Sequence, residues 1–335
     1  VGGTVAADLA HLGITAIIVD GKPADADALY LLKIDAEGKA ALLDGAAYKG
    51  LRTYELVRQL KEAHGEKNSI TCIGPAGEMK LSAASVAVTS TNGTPSRHAG
   101  RGGMGAVMGS KNLKAVVVKG AGRIPLADPD RFKTFNRHIL TVFNDGIKKA
   151  PLGLTVNGTA GVVMATQNFG VLPTKNWQQG TFDGWENIHG ERLTEKYLVG
   201  NKACYACPIG CGRKTRVEDP AFAGEGEGPE YETIYAMGSN CMIDNLAAVV
   251  KANYLCNEYG LDTISAGSTI AFAMECYQRG ILTEEQTGGL ALTFGDGDLV
   301  VLTVLDAVTD GMALRINDGD QGVEPQAPES SGDSA

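Results

Sequence analysis

Lys202-Ala-Cys-Tyr-Ala-Cys-Pro-Ile-Gly-Cys-Gly-Arg213 sets Cys204, Cys207 and Cys211 in a C-x2-C-x3-C pattern, three of the chain's seven cysteines within eight residues. Thiolates are soft ligands that suit iron–sulfur clusters and zinc. The x2 gap lets two sulfurs reach one metal site from a single turn, and Pro208, Gly210 and Gly212 punctuate the loop. A [4Fe–4S] cluster fits this spacing; zinc, or redox and structural cysteines, are the alternatives. A disulfide fits less well, because three close thiols leave an odd one. Radical enzymes that cleave S-adenosylmethionine use the reverse order, x3 before x2. A cubane takes four ligands, usually all Cys. The remaining cysteines, Cys72, Cys241, Cys256 and Cys276, each sit in a stretch that also reads as packing.

Outward from this loop the chain changes character. Upstream, strands dominate the first 120 residues. A glycine pair, Gly2-Gly3, precedes a short helical pattern through Ala10. Ile14 to Val19 is an apolar run that predicts a buried strand. Ala28–Ile34 and Ala40–Leu43 flank Asp35-Ala-Glu-Gly38 and predict a hairpin. Tyr54, Val57, Leu60 and Ala63 have helical spacing, stopped by Gly65. Ser69–Ile73, Ala84–Thr89 and Leu113–Val118 read as further strands. After Pro125 helices take over. Asp128 N-caps a helix marked by Phe132, Phe135, Ile139, Val142 and Phe143. Asp244 is the expected cap of a second, closed by Gly260. Ser265–Arg279 and Leu299–Val308 are expected to be helical, and residues 318–335 disordered. The fold class is α+β: a strand-rich domain over 1–122, a mostly helical one over 123–317, then the tail.

With 335 residues, 44% hydrophobic and 21% charged, the chain can bury a large core. Its formal net charge of −9 argues against nucleic acid as a partner, since phosphate binding needs a basic face. No apolar run reaches the roughly 18 residues of a membrane span, and no basic start precedes an apolar run. The expectation is a cytoplasmic enzyme with no membrane partner.

Arg97-His-Ala-Gly-Arg-Gly-Gly-Met-Gly-Ala-Val-Met-Gly-Ser-Lys-Asn-Leu-Lys114 is the second informative stretch. Its glycines let backbone approach a ligand, and Arg97, Arg101, Lys111 and Lys114 supply positive charge, which together predict an anion site. A glycine-rich connection is the bland alternative. Gly100-x-Gly102-x-x-Gly105 matches a dinucleotide fingerprint only weakly, because it sits late in a strand-rich region instead of after a first strand. Downstream of the cysteines, Gly226-Glu-Gly-Pro-Glu-Tyr-Glu232 carries three acids around a Gly-Pro turn. Glu230 or Glu232 is a candidate acid or base if buried near a substrate; a solvated acidic turn is the alternative. Asp262 either N-caps a helix or accepts hydrogen bonds from a heterocycle. His98 carries no signal by spacing.

These stretches, with Gly260-Leu-Asp-Thr-Ile-Ser265, occur together, and the set closely resembles the aldehyde:ferredoxin oxidoreductase family of tungsten–pterin enzymes over roughly residues 1 to 295. The resemblance implies a tungsten (or molybdenum) ion held by two pterins, a neighbouring [4Fe–4S] cluster, and oxidation of an aldehyde to a carboxylate with electrons passed to ferredoxin or another electron-transfer subunit. It implies cluster ligation by Cys204, Cys207 and Cys211. It implies pterin contacts at Gly2, Arg97, His98, Gly100, Arg101, Asn257 (where the family usually has aspartate) and Asp262, and a catalytic Glu232 near the metal. Lys251 and Tyr254 replace a Glu-x-x-His pair that some members use for a bridging iron, so no such iron is expected. The fourth cluster cysteine is expected downstream, and the chain is expected to be truncated at both ends. Two other functions stay in view: reduction of an activated aromatic acid within a complex, and a non-catalytic iron–sulfur or zinc module.

Overall fold

The computed structural model describes residues 2–146 and 153–295. The first half is built on one sheet. Helix α1 (Val5–His11) precedes strands β1 (Tyr30–Ile34) and β2 (Ala40–Asp44), helix α2 (Thr53–His64), β3 (Ser69–Cys72), the short α3 (Pro75–Glu78), β4 (Val86–Val88), β5 (Arg97–Ala99), α4 (Met104–Ser110) and β6 (Leu113–Val118). The strand order is β2-β1-β6-β3-β4-β5. Only the β1–β6 pair is parallel, with Ile34 opposite Val118; the other four pairings are antiparallel.

Side chains of a strand alternate between the sheet's faces, and two separate cores follow from that. Leu31, Ile70, Cys72, Ala115 and Val117 pack with Leu56, Val57 and Leu60 of α2. Leu32, Ile34, Val88, Val116 and Val118 pack with Val5 of α1. The predicted hairpin, α2 with its Gly65 stop, and the three later strands all form. Ile14–Val19 does not form a strand. Ile18 is 89% exposed, and the run joins neither edge strand of the sheet, β2 nor β5.

The second half is mostly helical. Helix α5 (Pro129–Asp145) is capped by Asp128, which accepts from the Arg131 N–H at 2.9 Å. Short helices α6 (Leu154–Asn157), α7 (Val162–Asn168), α8 (Trp185–Ile188) and α9 (Gly190–Tyr197) lead into a three-stranded antiparallel sheet of β7 (Leu198–Lys202), β8 (Gly212–Val217) and β9 (Gly224–Glu227). Helices α10 (Tyr231–Met237), α11 (Leu246–Tyr259) and α12 (Thr263–Gln278) follow. Helix α11 buries residues on every side, as a central core helix must. Its N-cap is Asn245, not Asp244: the Asn245 side chain accepts from the Ala247 and Ala248 N–H groups, while Asp244 accepts from Asn187. Gly260 closes α11 in the left-handed conformation. The expected helix at Leu299–Val308 and the tail at 318–335 lie outside the described residues. Among the described residues no helix is long and apolar enough to cross a membrane.

Candidate active site

The two halves meet at a cavity of about 320 Å³. Five separated stretches line it: Gly2 at the start, Ser96–Arg101 around β5, Cys204, Glu227–Thr233 between β9 and α10, and the facing parts of α11 and α12. Nine of the eleven residues singled out in the sequence share this wall: Gly2, Arg97, His98, Gly100, Arg101, Cys204, Glu232, Asn257 and Asp262. Cys207 and Cys211 do not line it. Ser96, Thr233 and Asn253 do, and no motif pointed to them; Glu227 and Glu230, from the acid-bearing Gly-Pro turn, line it too.

Local structure explains each position. Strand β5 pairs with β4, Ala87 opposite His98 and Val88 opposite Arg97, which carries both cavity side chains on the last strand of the sheet. Arg97 forms a buried ion pair with Glu227, and the Ser96 hydroxyl donates to Glu227 Oε2 at 2.5 Å. Asn253 and Asn257, one helical turn apart on α11, both donate to the Glu227 carbonyl, at 2.9 and 3.2 Å. Asp262 caps α12: its Oδ2 accepts from the Ser265 N–H at 2.9 Å and the Ser265 hydroxyl at 2.7 Å. Both readings of Asp262 are therefore compatible, since Oδ1 takes no part in the cap. A Cβ added at Gly100 would overlap that Oδ1, and one at Gly2 would stand 3.1 Å from Cys204 Sγ. Close approach, not turn formation, is what these two glycines serve.

The electrostatics are uneven. Burial pushes His98 down to about 4, so its ring is neutral near pH 7. The Ser85 hydroxyl lies 2.9 Å from His98 Nδ1, while His98 Nε2 and Arg97 Nε are buried without a hydrogen-bond partner. Buried polar atoms are nearly always paired, and each exception calls for an explanation. Burial also raises the Glu230 carboxyl above its usual range, with Glu227 and Glu232 adding like charge and a hydrogen bond from Thr159 opposing. Glu232 is exposed in the first turn of α10.

Lys114 does not belong to the site. It is fully buried, paired with Glu78 and donating to the Leu51 carbonyl at 3.0 Å. A lysine in a strand buried along its whole length must find such partners. Lys111 lines a separate depression beside Tyr30 and Leu42. The positive charge at the cavity is therefore Arg97 and Arg101.

The cysteine loop is held by Arg213, which is 1% exposed. Its guanidinium donates to the carbonyls of Cys211 (3.1 Å), Gly210 (2.9 Å) and Val156 (2.6 Å) and to Asn201 Oδ1 (2.9 Å). The Cys207 N–H donates to the Cys204 carbonyl at 3.0 Å, with Ala206 left-handed between them. Cys204, Cys207 and Cys211 form no disulfide and are half-buried, whereas the other four cysteines are buried. Among the described residues no three His, Cys, Asp or Glu side chains converge on a single ion position. A cubane takes one thiolate at each separate iron, whereas zinc gathers its ligands at one ion.

The unpaired donors, the two arginines and the glycine cradles fit a large polar heterocycle bearing anionic groups. The family model for the aldehyde ferredoxin oxidoreductase N-terminal domain matches residues 1–120, and that for aldehyde ferredoxin oxidoreductase domains 2 and 3 matches residues 138–312. The chain belongs to the aldehyde ferredoxin oxidoreductase family. Over 292 residues it is 43% identical to the tungsten-containing aldehyde ferredoxin oxidoreductase of Pyrococcus abyssi, covering 86% of this chain and 46% of that one. It is 32% identical over 316 residues to an aliphatic sulfonate oxidoreductase, WOR-like subunit, of Pyrococcus furiosus, again covering 46% of it. The chain thus spans about half the length of the curated relatives it matches. The active-site complex BamBC of benzoyl coenzyme A reductase, solved with 1,5-dienoyl-CoA, shares the fold: the TM-score is 0.73 at 24% identity, over 91% of this chain and 46% of that one.

Proposed function

We propose that this aldehyde ferredoxin oxidoreductase family chain forms the cofactor-holding part of a tungsten–bis-pterin enzyme. It oxidises an aldehyde to a carboxylate: one aldehyde and one water give one carboxylate, three protons and two electrons. A [4Fe–4S] cluster, which Cys204, Cys207 and Cys211 would hold, would supply one-electron transfer to ferredoxin or another electron-transfer subunit. The observation that carries this reading is the cavity wall itself, where two buried, unpaired nitrogens, Arg97 Nε and His98 Nε2, stand with Arg101 and an uncommitted Asp262 oxygen.

When bound, the metal–pterin centre supplies the two-electron redox chemistry. The protein's part is positioning and proton handling. Arg97 and Arg101 offer guanidinium forks to pterin phosphates. Asp262 Oδ1 and the Asn257 amide oxygen accept from the heterocycle's N–H groups, and His98 Nε2 meets its polar edge. Gly2 and Gly100 leave the space such a group needs. Glu232, and behind it Glu230 with its raised affinity for protons, takes protons released as the carbonyl carbon is oxidised. Cys204, Cys207 and Cys211 would supply three cluster thiolates, and Cys204 alone of the three lines the cavity. Because the side chains address the pterin and not the metal, molybdenum suits the same site.

Elemental analysis of the anaerobically purified full-length protein tests this. About one tungsten or molybdenum and four irons per chain are expected. Zinc alone, or no metal, overturns the reading.

A further inference from the structure

Glu230 lines the cavity and is the N-cap residue of α10, yet its side chain does not cap the helix. An acidic N-cap ordinarily turns its carboxylate back onto the free N–H groups of the first turn. Here a hydroxyl 71 residues earlier stands in for it. Thr159 Oγ1 accepts from the Tyr231 N–H, the first of α10, at 2.9 Å, and the same hydroxyl donates to Glu230 Oε2. Chemistry fixes the direction of both bonds. A backbone N–H can only donate, and a hydroxyl has one proton to give. Thr159 therefore accepts from Tyr231 and turns its own proton to Glu230 Oε2, which must be an unprotonated acceptor. A proton on this carboxyl has one place left, Oε1, which has no hydrogen-bond partner among the described residues.

Thr159 is held in place independently of Glu230. It sits in a 3-10 turn, Gly158–Gly161, pressed between two neighbours. Gly158 has a φ of 61°, and a Cβ there would lie 2.6 Å from the Cys211 carbonyl oxygen. A Cβ at Gly190 of α9 would lie 2.5 Å from the Gly161 nitrogen. The turn is thus packed against the cysteine loop on one side and α9 on the other. The hydroxyl is the fixed point, and Glu230 is the group that it orients. The charges around the carboxyl are mixed. Burial raises its affinity for protons; Arg97 favours its charged form, and Glu227 and Glu232 oppose it. Cys211 on the cysteine loop and Arg213 on β8 lie within reach of its charge.

We propose that Thr159 is a positioning residue for proton uptake in this site: it holds Glu230 Oε2 as a permanent acceptor and so directs any proton that the carboxyl takes up to Oε1. Thr159 touches neither substrate nor cofactor and acts only through Glu230. By donating to the carboxylate it also favours the charged form, which keeps a buried acid available as a base. This rests on the reading of the cavity as a site where oxidation releases protons.

Infrared titration of the full-length protein tests it. The protonated-carboxyl band that disappears in Glu230→Gln reports the proton on this residue, without reference to turnover. Its midpoint should lie above the usual glutamate value of about 4.3. Thr159→Val and Thr159→Ala both remove the hydroxyl, and each that folds should raise the midpoint by about one to two pH units, the size of a hydrogen bond to a charged group. Thr159→Ser keeps the hydroxyl and should restore the midpoint of the unaltered protein. A midpoint unmoved in the hydroxyl-free variants, or moved equally in Thr159→Ser, overturns the proposal. The two readings separate cleanly. Tungsten or molybdenum present with an unmoved midpoint leaves the redox reading and removes Thr159 from it. A moved midpoint in a protein without either metal keeps the Thr159–Glu230 pair and removes the redox reading.

Discussion

The Arg97 guanidinium and the Glu227 carboxylate pair across 130 residues of sequence, joining the last strand of the large sheet to the last strand of the small one. Their side chains are 15% and 7% exposed. Removing one partner of a buried pair leaves the other charge uncompensated, which costs about 3–5 kcal/mol. Glu227→Ala and Arg97→Ala should each lower unfolding stability by that order in urea titrations. The double variant should lose much less than the sum of the two. Additive losses would show that the residues act independently and that the two sheets are held together elsewhere.

Arg213 makes a different prediction. Its donors end on main-chain carbonyls and one amide oxygen, so the residue ties the cysteine loop to α6 and β7 without a carboxylate. Lysine keeps the charge but has three donors on one atom and cannot span those acceptors. Arg213→Lys should therefore loosen the loop nearly as much as Arg213→Ala. Faster hydrogen exchange at residues 203–212, and faster alkylation of Cys204, Cys207 and Cys211, would register it. Rates equal to those of the unaltered protein would refute the tether.

His98 gives the cofactor-free chain a pH dependence. Its pKa is about 4 folded and about 6.5 unfolded. The unfolded chain therefore takes up the proton first, and stability falls as pH drops from about 6.5 toward 4. The full loss is about 3 kcal/mol. Asp262 and Arg97, the charged groups bearing on the ring, act in opposite directions. Urea midpoints for the unaltered protein and His98→Gln should converge near pH 4.5 and diverge near pH 7.5 by a comparable amount, after other titrating groups cancel in the difference. A constant difference across that range would show that His98 does not supply the slope.

The cysteines divide into two sets that iron analysis can tell apart. Cys204→Ser, Cys207→Ser and Cys211→Ser should each lower iron in the full-length protein. Cys256→Ser should leave iron unchanged while reducing stability by about 1–3 kcal/mol, because it places a hydroxyl in the buried middle of α11. Iron lost from Cys256→Ser but kept in Cys207→Ser would move the cluster away from the loop.

How far the sequence revealed this molecule depended on the range of the signal. The hairpin over β1 and β2, the Gly65 stop and the Asp128 cap are set by neighbours within a few residues, and all three form. Ile14–Val19 has the composition of a strand but joins neither edge of the sheet, and local composition does not decide which runs are paired. Lys114 looked like a ligand for anions because its partner Glu78 lies 36 residues earlier, on another element. Asp244 lost the cap of α11 to its neighbour by one position, a margin that composition does not resolve. Glu227 stood in the acid-bearing Gly-Pro turn, but its pairing did not show there, because Arg97, Asn253 and Asn257 are brought to it only by the fold. Cys204 stood out because its C-x2-C-x3-C motif is unusual, whereas His98 carried no signal by spacing and entered only through the family resemblance; both line a wall drawn from most of the chain.

That wall has a consequence for how the protein is made. The ribosome delivers Gly2 first and Ile264 last among the lining residues, at about 5–20 residues per second, so the pocket stays open on one side for roughly ten to fifty seconds of synthesis. Helices α11 and α12 close it only after the sheet has had time to form. On the proposed reading, cofactor loading follows translation of at least this much chain, and a nascent polypeptide stalled before Asn257 would display the arginines and the cysteine loop without the helices that complete their enclosure.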